Sequence, residues 1–210
     1  NSVRTRIGLS NDAGWMVLRG PNGNDNIYMG PASNNTNHGQ IAVRDSSGTS
    51  QAWMRVGADG TGEVRSGIVE ITGGADLAEP FVINSVEKVE PGMVVVLDPS
   101  NPGQLRLANQ AYDPLVAGVV SGAGGINPGI IMHQEDRQIE GETHPVALVG
   151  QVYVQAIGPI KVGDLLSSSD IPGYAMVATD RERAFGAIIG KAMSNLDEGT
   201  GLVLILVSLQ

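Results

Sequence analysis

Between residues 4 and 67 the chain alternates short apolar stretches with polar turns. The stretches read RIGL, WMVLRG, NIYMG, QIAVRD, AWMRVG and GEVRSG, and within most of them apolar and polar side chains take turns. A period of two puts successive side chains on opposite faces of a strand, so this spacing predicts six consecutive β segments. The connections NDAG, PNGN, DSSG and ADGTG supply Asn, Asp and Gly, which accept the backbone conformations of tight turns.

Each of these predicted strands offers only about two or three apolar positions, and so thin an interior would hardly stabilise a free-standing monomer. Sharing the core among copies removes the deficit. Three thin strips meeting around one axis predict an intertwined, homotrimeric β shaft over residues 1–67; the plainer alternative is a small β-sandwich with weak patterning. Residues 68–85, IVEITGGADLAEPFVINS, read as a junction. There Asp76, followed three residues later by Glu79, predicts a capped helical turn.

The remaining residues, 86–210, write one phrase twice. PGQLRLANQAYDPLVAGVV starts at Pro102 and PGYAMVATDRERAFGAII at Pro172. Both run Pro-Gly, a short strand, a polar turn with an Asp, then Gly-x-x-x-Gly, which aligns Gly118 and Gly122 with Gly186 and Gly190. Upstream, VEPGMVVVLDPSN and IKVGDLLSSSD repeat the layout, with Gly92 and Gly163 in step. Hairpin units near residues 91–122 and 162–190 therefore predict a globular β barrel or sandwich tip with an internal duplication. HPVALVGQVYVQA, between the copies, reads as a strand. The run from Leu202 to Val207 reads as a strand buried on both faces that closes the domain. The fold class expected is all-β.

Taken together, GGADLAEPF, VEPGMVVVLDPSNPGQLRLA, VAGVVSG, GDLLSSSDIPGYAMVATD and GAIIGKAMSNLDEGTGLVLILVSLQ resemble the C-terminal domain of trimeric phage-tail-fibre-like proteins, including trimeric adhesins of predatory bacteria. The resemblance covers residues 73–210 and is most specific over 163–210. It implies a parallel homotrimer with a β shaft and a globular tip, displayed for attachment on a cell surface, as a secreted protein or on a phage-like particle. Many phage fibres end in a self-cleaving intramolecular chaperone marked by Ser-Asp followed by Arg-Leu-Lys; that pattern is absent here. A second autoprocessing family shares the Asp-Leu-Ala-Glu opening at Asp76, so self-processing stays open beside attachment.

Composition narrows the partners. Gly, at 29 of 210 residues, is about twice its average usage, and aromatics are only 4%, which suits turn-rich β structure filled by aliphatic side chains. A formal charge of -9 argues against a nucleic-acid partner, since phosphate binding needs clustered Lys and Arg. With no Cys, neither a disulfide framework nor a thiolate metal site is expected. No apolar run is long enough for a transmembrane helix. The start at Asn1 rather than Met reads as a trimmed chain.

Catalytic and cofactor chemistry finds little support. His133 and His144 flank the acidic QEDRQIEGET, whose Glu135, Asp136, Glu140 and Glu142 could join them around a cation, yet no metal-loop spacing is present and a solvated loop is the simpler reading. One ligand per chain on a trimer axis would suffice for an ion, which keeps His38, His133 and His144 as axial candidates. SSSD at residues 167–170 reads as a turn and GAGGINPG at 122–129 as a connection. Glycan cleavage would need two converging carboxylates, among Asp113, Asp136, Asp164 and Asp180. For binding, Tyr112 with Asp113 and Arg106, together with Tyr174, are the expected ligand-facing residues of the tip, since aromatics beside polar turns stack sugar rings. Trp15 and Trp53 are expected to fill the trimer interior, with Tyr28 nearby in the shaft. The function expected is a homotrimeric fibre tip, without catalysis and without cofactor, that recognises a cell-surface glycan or protein. The alternatives are an autoprocessing or glycan-cleaving enzyme, or a pure trimerisation clamp that depends on residues 199–210.

Overall fold

A computed structural model of the chain describes residues 4–10, 13–21, 23–32, 35–57, 59–133 and 141–209. Among the described residues there are sixteen strands, one 3-10 turn and one four-residue helix, so the chain is all-β. It divides into two compact units, Asn1–Glu70 and Ile71–Gln210.

The first unit is one antiparallel meander of β1 (Arg4–Ser10), β2 (Ala13–Arg19), β3 (Asp25–Ala32), β4 (Asn35–Arg44), β5 (Ser50–Val56) and β6 (Gly62–Arg65), each paired only with its neighbours in sequence. Every apolar stretch quoted above became a strand. The turn residues act as their chemistry requires: Asp45 Oδ1 accepts the amides of Ser47 and Thr49 at 2.8 and 3.0 Å, closing the turn between β4 and β5. The thin interior is also present. Among the described residues of this unit the buried apolar side chains are Val17, Ala32 and Ala42.

The second unit contains β7 (Asp76–Asn84), β8 (Val94–Leu97), β9 (Leu105–Leu107), β10 (Val116–Val120), β11 (Pro128–Ile131), β12 (Thr143–Ile157), β13 (Leu165–Ser168), β14 (Ala175–Val177), α1 (Arg181–Ala184), β15 (Ile188–Ala192) and β16 (Thr200–Val207). The pairings β7–β9–β8–β10–β12 close back on β7, forming a five-stranded barrel. A second ring, β12–β14–β13–β15–β16, closes back on β12 with the same order and the same parallel and antiparallel senses. The long β12 belongs to both rings, and the duplication is therefore a pair of barrels that share one strand. Val94, Val96, Val119, Val152, Val154, Leu166, Ile189 and Ile205 fill the larger core cluster.

Register corrects the alignment within the duplication. Val94, Val95 and Val96 face Val119, Gly118 and Val116, while Leu165, Leu166 and Ser167 face Lys191, Gly190 and Ile188, with an irregularity at the matching step. The equivalent of Gly118 is thus Gly190, not Gly186. Both are required by close approach: a Cβ on Gly118 would lie 2.6 Å from the Ala147 carbonyl oxygen, and one on Gly190 would lie 2.2 Å from that of Leu206. The second copy carries the extra helix α1 between β14 and β15, which shifts the spacing.

Three other expectations change. Asp76 opens strand β7 instead of capping a helical turn, because Asp76, Leu77 and Ala78 pair with β11 and β12. The GAGGINPG connection holds the 3-10 turn at Ala123–Gly125 and the first residues of β11. β16 is buried on one face only: Val203, Ile205 and Val207 point inward, whereas Leu202 and Leu206 remain 43% and 47% exposed. It does close the second barrel.

Candidate functional site

The meander of the first unit has two chemically distinct faces, and its register shows how they arise. Ile7 lies opposite Met16, Met16 opposite Met29, Met29 opposite Ile41, Ile41 opposite Met54 and Met54 opposite Val64. One apolar row therefore crosses all six strands, a width of about 24 Å at the usual strand spacing. It is open to solvent in the single chain, with Ile7 77%, Met54 56% and Val64 73% exposed. Leu9, Val43 and Val56 are exposed as well. Met29, Ile41, Met54, Val56 and Val64 line a concavity of about 670 Å³ on this unit.

Strand alternation sends the neighbouring row, Arg6, Val17, Tyr28, Ala42, Trp53 and Arg65, to the other face. Trp15 and Trp53, expected in a trimer interior, thus lie on the face opposite the apolar row. A Cβ on Gly8 would come within 2.8 Å of the Trp15 ring, and one on Gly30 within 2.7 Å of the Tyr28 hydroxyl, so Gly8 makes room for a ring from the neighbouring strand and Gly30 for one lying along its own. Arg44 stands 5.0 Å from the Tyr28 ring centroid and Arg55 stands 4.2 Å from that of Trp53, close enough for cation–π attraction. Arg19 pairs with Asp25 at 2.7 Å and Arg55 with Glu63 at 2.9 Å.

In the second unit, the structure brings Arg106, Tyr112 and Asp113 together and inserts them into the fold. Arg106 and Asp113 form an ion pair at 3.2 Å, with Asp113 only 4% exposed at its side chain. Asp113 also receives the Leu115 amide, and its own amide donates to Ser168 Oγ. Tyr112 is 8% exposed, and its hydroxyl accepts the amides of Thr179 and Asp180 at 2.9 and 3.0 Å. Its ring supports the Arg183 guanidinium at 4.5 Å. Hydrogen bonds from Thr179 and then Asp180 hold the phenol below its ordinary pKa. Ligand-facing Tyr112 is corrected on this point: the group ties the loop of the first copy to that of the second and leaves the ring no open face for a sugar.

Tyr174 sits apart from them, half-buried, where it lines a cavity of about 500 Å³ with Pro91, Gly124, Gln155, Thr200 and Leu202. Of the carboxylates considered for glycan cleavage, Asp113 is ion-paired, Asp164 accepts the Lys161 amide and Asp180 caps α1; Asp136 lies outside the described residues, as do Glu135 and Glu140. Among the described residues no three His, Asp or Glu gather as a metal site. Among the described residues no helix is long and apolar enough to cross a membrane.

Sequence reasoning missed the condition of Asp76. It is 4% exposed, and the buried Ser121 hydroxyl is its polar neighbour, though not at full hydrogen-bond geometry. Burial pushes this carboxyl above its ordinary pKa. An Asp at the head of a strand gives no signal of this, because the desolvation comes from β11 and β12.

No protein-family model matches the sequence, and no curated protein matches it. The solved structures to which the chain bears a likeness include two from one bacteriophage protein. One is the pre-mature bacteriophage phi29 gene product 12, 16% identical, with 74% of this chain covering 24% of that chain at a TM-score of 0.49. The other is the bacteriophage phi29 gene product 12 C-terminal fragment, 19% identical, with 63% of this chain covering 100% of that chain at a TM-score of 0.41. This chain thus spans about a quarter of the length of the first of them.

Proposed function

We infer that this chain is a homotrimeric fibre segment for attachment. The first unit shares its apolar face with copies of itself, and the double barrel is a tip that recognises a cell-surface glycan or protein. The observation that carries the reading is the unbroken row from Ile7 to Val64, uncovered in the single chain while the unit buries only three small apolar side chains among its described residues. Fully burying one Met, Ile or Val side chain contributes about 1.5–3 kcal/mol, and a sheet this thin has no other source of that size. The resemblance to trimeric fibre proteins favours three copies over two. On this reading the protein is displayed on a cell surface, secreted or carried on a phage-like particle, and the net charge of -9 keeps nucleic acid off its list of partners. Light scattering tests it: a solution mass three times 21.8 kDa is expected, and a stable monomer at micromolar concentration overturns the assembly.

A second reading, self-processing, is favoured by Asp76 alone. A buried carboxyl whose pKa is raised by desolvation, beside its own backbone, is chemically equipped to assist addition of water across a flanking peptide bond, which would yield two fragments that meet at Asp76. Intact-mass analysis after prolonged incubation decides this. Fragments that appear in the wild type and vanish in Asp76→Asn support it, and a single undegraded mass refutes it.

A further inference from the structure

The register that exposes the apolar row also fixes what the opposite face presents, and that face has its own chemistry. Five described arginines, Arg6, Arg19, Arg44, Arg55 and Arg65, share it with the strand carboxylates Asp25 and Glu63, while Asp45 and Asp59 border it from the turns after β4 and β5. Trp15, Tyr28 and Trp53 lie on it as well. On a chain of net charge -9, the strand positions of this face carry a local excess of arginine, concentrated at Arg6 and Arg65 away from those turns. Tyr28 and Trp53 already carry guanidinium groups over their rings, and Arg19, Arg44 and Arg55 already meet carboxylates. Trp15 and Arg6 are different. Among the described side chains no guanidinium covers the Trp15 ring, and Arg6 is exposed and makes no ion pair. Trp15 lies against Gly8, and Arg6 stands two residues along β1 from that glycine on the same face, a step of about 6.8 Å.

We propose that this aromatic and basic face binds an acidic polysaccharide, with one uronate ring stacked on Trp15 and its carboxylate held by Arg6. The inference deepens the attachment reading and rests on it, since covering the apolar row leaves the Trp15 face outward. An aromatic ring laid on the sheet offers a flat apolar surface to the C–H face of a pyranose, and a guanidinium offers paired donors to a carboxylate. Stacking and charge act together on a uronate, whereas a neutral sugar meets only the ring. Arg65, exposed at the far end of the same row, gives an extended polymer a second cationic contact.

The test uses the full chain against immobilised polygalacturonate, with neutral dextran and single-stranded DNA as comparisons. Retention by polygalacturonate and not by dextran is expected. Arg6→Gln should weaken it about tenfold, because a charge-assisted hydrogen bond is lost. Trp15→Phe, which keeps a ring on Gly8, should weaken it less. The proposal is overturned if polygalacturonate retains the protein no better than dextran, if Arg6→Gln binds as the wild type does, or if the DNA is retained more strongly. Light scattering on the same samples separates the two readings: a monomeric mass with retention intact removes the assembly alone, and an assembled mass without retention removes the polysaccharide site alone.

Discussion

Tyr112 holds a left-handed backbone, with φ of 56°, which an L side chain adopts at a cost of about 1–2 kcal/mol. The hydroxyl offsets that cost by accepting two amides from a loop some 67 positions away. Tyr112→Phe keeps the ring beneath Arg183 but strands those amides, and we expect a loss of about 1–3 kcal/mol in urea unfolding. The adjacency of Tyr112, Asp113 and Arg106 was legible in the sequence. Their burial was not, because the residues that cover them come from the second copy. Asp76 gives a signed prediction. Its folded pKa is raised above the ordinary 3.8, so the stability tied to its protonated form is complete below 3.8 and is lost as pH rises through the folded value. Asp76→Asn should therefore melt above the wild type at pH 7, with the difference shrinking as the pH falls toward 3.8.

Among the elements, the six strands of the meander and the repeated hairpins were readable, since period-two patterns and Pro-Gly turns are local signals. The pairing of Gly118 with Gly190 was not, because α1 lengthens the loop between β14 and β15 and the glycine spacing then suggests a different match. What marks the two glycines is contact with a neighbouring strand, a property of register. Gly190→Ala should cost about 2–3 kcal/mol or more, read by thermal unfolding, since a backbone oxygen at 2.2 Å cannot step aside as a side chain can. The one-sided burial of β16 was likewise hidden by its continuous apolar sequence. Its inward Val203, Ile205 and Val207 belong to the core of the second unit. Deleting residues 199–210 should thus abolish the cooperative calorimetric transition of that unit, a larger effect than the loss of a clamp.

For the molecule as a whole, the sequence showed that the first unit had too little interior, but not which face would make up the deficit. That depends on side chains aligned over six strands, and only register reveals that Ile7, Met16, Met29, Ile41, Met54 and Val64 form one row with the tryptophans behind it. The central claim is that this row is where copies of the chain meet. Because the protein has no cysteine, a single introduced thiol reports its own surroundings. Met54→Cys should give an interchain disulfide under mild oxidation, seen as a dimer band on a denaturing gel, while Arg65→Cys on the opposite face should stay monomeric. Cross-linking through Arg65→Cys with none through Met54→Cys would contradict the account.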